Sequence, residues 1–248
     1  MTDRLDQLVV MSQTMGQPER DWVILGEGNT STRADKNSFW VKASGTQLAF
    51  ADRSTFVRVD YKRVLDALDD ANLTDTDVGE LLRAATREGN RAPSIETFLH
   101  ALCLQLDGID YVGHTHPTAA VGLLASTNSR ELFDGAMFPD QIVLLGTAHI
   151  YIPYTDPGLP LARVLRDELD DFLYRKGEPP RLILMENHGV IALGKTARQV
   201  INITEMFVKL CHVISISILA GGPRYLAPHH VERIATRPDE QRRRKDLA

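Results

Sequence analysis

The hydrophobic positions of this chain recur with helical spacing in some segments and form short apolar runs in others. Residues 3–15 carry Leu5, Leu8 and Met15 on one helical face. The same spacing predicts helices over 61–68, 78–88, 94–106, 159–174 and 197–220, with Ser94 and Thr196 as N-caps and Gly89-Asn90 ending the second. Apolar runs predict strands over 39–42, 56–59, 111–113, 141–145, 181–185 and 190–193. This alternation indicates an α/β fold and leaves the strand order open.

The length and composition indicate one domain over residues 1–248. With 248 residues and 43% hydrophobic content, the chain can bury one large core, and it shows no repeat or linker. The basic cluster 242–245 follows two acidic residues near the C-terminus. We expect residues 236–248 to form a flexible, solvated tail.

The charge and the apolar segments exclude several classes of function. A net charge of −5 and a pI near 5.9 lack the basic footprint of nucleic-acid-binding proteins. The apolar run 8–11 is too short for a signal peptide, and 213–220 is shorter than the roughly 20 residues of a membrane span. Cys103 and Cys211 are expected to be buried free thiols. These features predict a soluble, cytoplasmic protein without nucleic-acid or membrane partners.

Three histidines at predicted strand ends form the strongest chemical signal. His114 and His116 have the His-x-His spacing that places two imidazoles on one face of an extended segment. His188, between Asn187 and Gly189 at another strand end, is the best candidate for a third ligand of a divalent metal. The chemistry alone leaves the third ligand open. The competing histidines are His100, His149, His212, His229 and His230.

Glu96 and two glycine-containing loops are the other candidate site residues. Glu96 lies in the first turn of a predicted helix, where it is either a carboxylate favoured by the helix dipole or a general acid/base facing the metal. The segments 26–31 and 44–46 combine glycine with small donors, as turns and anion-binding loops both do. Neither segment matches a dinucleotide-binding or Walker motif.

Taken in order, these segments resemble the class II aldolase/adducin family. The resemblance rests on five segments: Gly-Asn-Thr-Ser-Thr-Arg at 28–33, Lys-Ala-Ser-Gly at 42–45, Pro-Ser-Ile-Glu at 93–96 with His100 four residues on, Gly-His-Thr-His-Pro at 113–117, and Glu-Asn-His-Gly-Val at 186–190. The segments near 26–31 and 40–45 are also similar to the aldolase half of bifunctional rhamnulose-phosphate-type aldolases.

The resemblance implies a fold, a metal and a set of site residues. The expected fold is a single three-layer α/β/α domain on a mostly antiparallel sheet, in a homotetramer with sites between subunits. One divalent metal per subunit is expected, zinc first and manganese or cobalt otherwise. The implied roles are metal ligands for His114, His116 and His188, the catalytic acid/base for Glu96, and binding of a substrate phosphate for Asn29, Ser44, Gly45 and Ser94.

The resemblance leaves the substrate and the reaction outcome open. Phosphate-binding members often have Ser-Ser before the glutamate, and Ile95 replaces the second serine here. The leading hypothesis is aldol cleavage of a sugar, sugar phosphate or hydroxy-carbonyl acid through a metal-stabilised enediolate, with Tyr225 as one candidate for a second acid. Epimerisation, dehydration and decarboxylation are alternatives at the same metal. A non-catalytic, adducin-like interaction module is disfavoured because the three histidines are present.

Overall fold

A central sheet organises the chain in the computed structural model, which describes residues 3–70 and 72–247. Its strands are β1 (Asn29–Arg33), β2 (Ser38–Lys42), β3 (Phe56–Asp60), β4 (Thr86–Glu88), β5 (Tyr111–Thr115), β6 (Ile150–Ile152), β7 (Leu182–Met185) and β8 (Gly189–Gly194). They form one sheet in the order β4-β3-β2-β1-β5-β8-β7-β6. Only the β6–β7 pair is parallel among the described strands. The two edge strands, β4 and β6, have three residues each.

Helices cover both faces of this sheet. The helices of the described residues are α1 (Arg4–Met15), α2 (Tyr61–Asp66), α3 (Asp75–Ala85), α4 (Thr97–Gln105), α5 (Thr118–Leu124), α6 (Ser129–Phe133), α7 (Pro139–Leu145), α8 (Leu159–Lys176), α9 (Ala197–Leu219), α10 (Pro228–Thr236) and α11 (Pro238–Asp246). Short 3-10 turns connect several of them.

Two hydrophobic cores, one on each face of the sheet, define the layers. Phe98 of α4 and Leu165 of α8 pack with Val112 of β5 in the first core. Leu8 of α1 and Phe207 of α9 pack with Leu184 of β7 in the second. Alternate strand residues therefore face opposite cores, as the pleat requires. The predicted three-layer α/β/α fold on a mostly antiparallel sheet is confirmed.

Local chemistry explains where the observed elements differ from the predicted ones. Residues 141–145, predicted as a strand, belong to helix α7, because Pro139 occupies its first position and initiates a helix there. The predicted helix 78–88 ends at Ala85, and residues 86–88 form edge strand β4. Ser94 is not the N-cap of α4, which begins at Thr97. Strand β1 was not predicted, because its residues are polar.

The C-terminal segment carries regular structure where a flexible tail was predicted. Helix α11 lies against α7, since Arg243 forms a salt bridge of 2.6 Å with Asp140. Arg244 donates through Nε to the carbonyl of Val143 at 3.0 Å. Asn202 of α9 donates through Nδ2 to the carbonyl of Leu247 at 2.7 Å. Residues 238–247 are thus placed against the second helical layer.

Helix α9 has enough length and apolar surface to cross a membrane by composition, a test that core helices also meet. It packs against β8, β5, α1, α5 and α7. From the sequence alone, its apolar residues Ile201, Phe207, Val208, Cys211 and Ile214 are expected to leave apolar surface for a subunit interface. That expectation is wrong for Phe207, Cys211 and Ile214, which are buried in the chain's own core. The exposed apolar residues lie nearer its C-terminus, at Ile216, Ile218 and Leu219.

Gly113 of β5 generates a stability prediction, because a Cβ there would lie 2.7 Å from Met15 Cε and 2.8 Å from Val200 Cγ1. Overpacking of this kind destabilises a core by about 1–3 kcal/mol, and we expect that loss for Gly113→Ala. Gly79 in α3 has no neighbour within 4 Å of its added Cβ. Gly79→Ala should instead stabilise by about 0.5–1 kcal/mol, as helix propensity dictates. Urea unfolding of both variants measures the difference, and equal effects would contradict the close packing at Gly113.

Candidate metal centre

The end of strand β5 brings two histidines onto one face of the sheet. His114 is fully buried and lies opposite Ile191 in the antiparallel pair with β8. His116 follows two residues later, on the same side, and its backbone N–H donates to the carbonyl of Trp22 at 2.9 Å. Pro117 then ends the extended segment and precedes α5. The sequence spacing and the strand geometry therefore agree.

The third histidine is delivered by the tight turn between β7 and β8. Asn187 has a left-handed backbone with φ of 54°, which asparagine tolerates better than most residues. Gly189 is required next to it, because a Cβ there would lie 2.6 Å from both His116 Cδ2 and the carbonyl oxygen of Thr115. The Asn-His-Gly segment thus reverses the chain and leaves His188 beside the other two imidazoles.

The three imidazoles form a compact cluster. One ligand nitrogen from each of His114, His116 and His188 lies within 4.8 Å of the others. The Nε2 atoms of His114 and His116 are 2.9 Å apart. His114 Nδ1 donates to the carbonyl oxygen of Val190 at 3.1 Å, which turns Nε2 toward the cluster, where a metal ion could bind it. Burial lowers the pKa of His116 to about 3, with repulsion from His114 and His188 adding to it.

This donor set fits a divalent metal ion. Neutral imidazoles suit zinc, and they also bind manganese, cobalt or iron. The hydrogen bond from His114 Nδ1 to a backbone carbonyl is the usual way in which a ligating histidine is oriented. The competing histidines lie outside the cluster: His100 contacts Asn29 and Ser31, and His229 and His230 contact each other.

Glu96 lies at the edge of the cluster, immediately before α4. Its Oε1 is 3.1 Å from His188 Nε2 and 3.4 Å from His114 Nε2. Burial alone would raise the pKa of Glu96, but the neighbouring His114 and His188 outweigh burial and hold that pKa well below its ordinary value. Conversely, Glu96 outweighs burial at His114 and raises the pKa of that imidazole. An ionised carboxylate therefore faces the imidazoles of His114 and His188.

Strand β1 adds Asn29 to the site through its pairing with β5. Asn29 lies directly opposite His114 in the antiparallel register, so the two side chains share a face. Asn29 Nδ2 donates to Glu96 Oε2 at 2.6 Å and to Ser94 Oγ at 3.3 Å. Asn29 Oδ1 accepts from His100 Nε2. The side chains of Asn29, Ser94 and Glu96 thus converge.

Ser44 and Gly45 occupy an exposed loop next to this convergence. The backbone N–H of Ser44 donates to the carbonyl of Ala92 at 2.8 Å, and that of Ser94 donates to the carbonyl of Lys42 at 3.3 Å. Gly45 has a positive φ of 73° and open space around it. Ile95, which follows Ser94 in the chain, is 53% exposed and offers an apolar side chain there. Tyr225, considered as a second acid, instead donates to the carbonyl of Glu131 at 2.9 Å.

Lys42 is a buried cation near the centre that the sequence reasoning missed as a site residue. Only 2% of it is exposed, and its Nζ donates to the carbonyl of Gly26 at 3.1 Å. Burial lowers its pKa to about 8, although attraction to Glu96 acts in the opposite direction. Its place in the Lys-Ala-Ser-Gly segment was the available signal. Alternation along β2 puts it on a buried face, where a lysine requires explanation.

A cavity of about 450 Å³ opens beside His116 and His188. Asp21 and Glu27 supply the carboxylates of its wall, and Val23, Ile24 and Val121 supply apolar surface. Glu27 Oε2 accepts from the backbone N–H of Ile24 at 3.0 Å and lies 4.0 Å from His116 Nδ1. The cavity gives a small polar molecule access to the histidines.

The fold and the cluster define a three-layer α/β/α protein with a candidate metal centre at its strand ends. The model of the class II aldolase and adducin N-terminal domain matches residues 6–215. The chain belongs to this family. No curated protein sequence matches the chain significantly.

Solved structures with the same fold support this assignment. An L-fuculose 1-phosphate aldolase superposes with a TM-score of 0.70 at 20% identity, over 95% of each chain. YgbL from Klebsiella pneumoniae, described as a putative aldolase/epimerase/decarboxylase, gives 0.70 at 18% identity, over 94% of this chain and 99% of that one. The N-terminal class II aldolase domain of a conserved Thermoplasma acidophilum protein gives 0.66 at 23% identity, over 86% of this chain and 98% of that one. At these identities the likeness concerns the fold.

The histidine cluster generates a prediction about metal content. His116→Ala should remove most of the bound metal, because three converging imidazoles are reduced to two. His212→Ala is the matched control, since that histidine is exposed on α9 and lies outside the cluster. Elemental analysis of purified protein after zinc loading measures the difference. Equal metal content in wild type and His116→Ala would contradict the assignment.

The buried amine of Lys42 generates a prediction about stability and pH. Its pKa is about 8 in the fold against an ordinary lysine value of 10.5. Between these values the unfolded chain binds more protons, so wild-type stability rises with pH relative to Lys42→Met. We expect a relative gain of up to about 3 kcal/mol between pH 8 and pH 10.5. Denaturant unfolding of chelator-treated protein measures it, with Lys36→Met as the exposed control. A flat difference would mean that the amine is hydrated in the fold.

Proposed function

We propose that the protein is a metal-dependent carbon–carbon lyase of the class II aldolase type. Its substrate would be a sugar, a sugar phosphate or a hydroxy-carbonyl acid. The observation that carries the proposal is the position of the Glu96 carboxylate, 3.1 Å from His188 Nε2 and 3.4 Å from His114 Nε2. A base held at the edge of a cluster of metal-type ligands is the arrangement that proton transfer next to a carbonyl requires.

Each group in the site has a role in this proposal. A divalent ion on His114, His116 and His188, zinc in the first place and manganese or cobalt otherwise, would polarise a carbonyl oxygen and stabilise the negative charge that develops there. Glu96 Oε1 would remove or return a proton at the carbon next to that carbonyl. Asn29 donates to the other oxygen, Oε2, and so restrains the carboxylate. The cavity beside His116 would hold the part of the substrate that departs as an aldehyde.

Epimerisation and decarboxylation are the second candidate functions. Epimerisation would remove a proton, and decarboxylation would leave negative charge, at the carbon next to a carbonyl that a metal polarises. The YgbL structure is described as a putative aldolase/epimerase/decarboxylase. Dehydration belongs to the same group. A non-catalytic interaction module is disfavoured by the complete histidine cluster and its carboxylate. The products distinguish these functions. Aldol cleavage releases an aldehyde, epimerisation gives an isomer, decarboxylation releases carbon dioxide and dehydration releases water.

The anion site is the part of the proposal that bears on substrate class. Ser94 lies beside Asn29, and Ser44 and Gly45 lie on the neighbouring exposed loop. Backbone N–H groups and hydroxyls in such loops can bind a phosphate or a carboxylate. Ile95 offers no hydroxyl, so we propose weaker phosphate binding than in sugar-phosphate aldolases, or a carboxylate in its place.

Assembly and location remain predictions from the family and the composition. A homotetramer is proposed, with the exposed residues Ile216, Ile218 and Leu219 as apolar surface available to a second copy. A cytoplasmic location is proposed from the composition. The proposed partner is a small-molecule substrate.

Glu96→Gln should keep the fold and the bound metal and lose proton transfer. General acid/base groups typically contribute about 10²–10⁴-fold to a rate, and we expect a loss in that range. Glu88→Gln on edge strand β4 is the matched control, because that carboxylate is exposed. The measurement is aldehyde release from a panel of free and phosphorylated sugars by metal-loaded protein. Unchanged turnover of Glu96→Gln would show that Glu96 serves only the helix start.

Titration of inorganic phosphate into metal-loaded protein tests the anion site. With Ile95 in place of a hydroxyl we expect weak heat, and Ile95→Ser should strengthen phosphate binding by restoring one donor. The exposed Val10→Ser, on helix α1, is the control for exchanging an apolar side chain for serine. Tight binding by wild type would favour a phosphorylated substrate and contradict the role given to Ile95.

A further inference from the structure

A row of buried hydrogen bonds leads from strand β1 through helix α4 to the carboxylate beside the histidine cluster. Ser31 Oγ lies 2.6 Å from His100 Nδ1. His100 Nε2 bonds to Asn29 Oδ1, and Asn29 Nδ2 donates to Glu96 Oε2 at 2.6 Å. All four residues are buried. Such a row has a direction, because each side chain within it donates a hydrogen bond to one neighbour and accepts one from the other.

The direction of the row follows from its last member. Glu96 turns Oε1 to His114 and His188 and Oε2 to Asn29 Nδ2 at 2.6 Å, and a carboxylate oxygen accepts the hydrogen bond that an amide N–H donates. Asn29 must therefore turn its NH₂ group to Glu96 and its carbonyl oxygen to His100. The two ends of an amide look alike in geometry, so partners decide its orientation. His100 must then carry its proton on Nε2, and its Nδ1 accepts from the hydroxyl of Ser31.

We propose that His100 is a positioning residue, which acts through Asn29 to hold Glu96 with Oε2 as an acceptor and Oε1 turned toward the histidine cluster. This inference rests on the proposed function in so far as Glu96 is the base. If the proton were on Nδ1 instead, Nε2 of His100 would be an acceptor and Asn29 would have to turn its NH₂ group to it. The carbonyl oxygen of Asn29 would then face the Glu96 carboxylate, and two acceptors would repel each other. Burial lowers the pKa of His100 to about 3, so the ring is neutral and has one donor and one acceptor.

The same hydrogen bonds occupy both polar groups of the Asn29 side chain with partners from the protein. Its carbonyl oxygen accepts from His100, and its NH₂ group donates to Glu96 and Ser94. An asparagine amide has two donor hydrogens, and both have acceptors here. Binding of a substrate phosphate by the Asn29 side chain, which the family resemblance implies, would therefore have to displace the hydrogen bond to Ser94. Ser94, Ser44 and Gly45 are the other candidate anion donors.

The tautomer of His100 tests the inference without any assay of activity. Nitrogen-15 NMR of zinc-loaded, labelled protein distinguishes a ring protonated on Nε2 from one protonated on Nδ1, and His100→Gln identifies the signal by its loss. The expected result is an Nε2-protonated neutral ring at pH 7, and the signal should shift in Asn29→Leu. An Nδ1-protonated ring would overturn the inference, whatever the protein catalyses.

A pair of variants tests the functional consequence. His100→Gln places a donor near the position of Nε2, whereas His100→Leu offers none. The probe is dihydroxyacetone in D₂O with zinc-loaded protein, and the measurement is proton loss next to its carbonyl by NMR. We expect a loss of about 10–100-fold for the Leu variant, as is typical when the partner of a site residue is removed, and substantial rescue by Gln. Equal losses in both variants at equal metal content would show a merely structural role.

Exchange by wild type separates this inference from the proposed function. Absence of exchange with dihydroxyacetone in wild type would count against Glu96 as a base beside a metal-polarised carbonyl. The tautomer of His100 would then decide the positioning role alone.

Discussion

The pairing of β1 with β5 is the constraint on which the rest of the site depends. It sets Asn29 opposite His114 and Ser31 opposite Val112, two positions on one face of the sheet. Because side chains alternate along a strand, a slip of one residue would turn Asn29 away from Glu96 and Ser31 away from His100. The histidine cluster and its carboxylate are thus related through backbone hydrogen bonds between two central strands.

Helix α4 completes the arrangement with a second periodicity. Glu96 precedes its first residue, and His100 follows four positions later, on the same side of the helix. Strand residues two apart and helix residues four apart therefore meet as pairs, Asn29 with Glu96 and Ser31 with His100. Buried polar groups are costly unless they are paired, so this match both stabilises the interior and fixes the direction of each side chain.

Much of the fold and of the centre follows from the sequence, and the exceptions have physical reasons. The helices around α1, α8 and α9 and the strands that lead to His114 and His188 are predicted by their regular apolar periods. Strand β1 was missed because it is buried yet polar: Thr30 bonds to Ser12, and Thr32 to the carbonyl of Asp110. Its burial depends on partners that are distant in sequence, which periodicity cannot report. The roles of Lys42 and His100 were missed for the same reason.

The short edge strands of the sheet have a consequence for how copies of the chain can associate. With three residues each, β4 and β6 expose few unpaired N–H and C=O groups, and β6 is also packed against α8. A long open edge would template the addition of further strands, and these two edges cannot. Association through a continuous intermolecular sheet is therefore disfavoured, and any stable assembly must use helices and loops. The same brevity protects a newly made chain from edge-to-edge aggregation at high concentration.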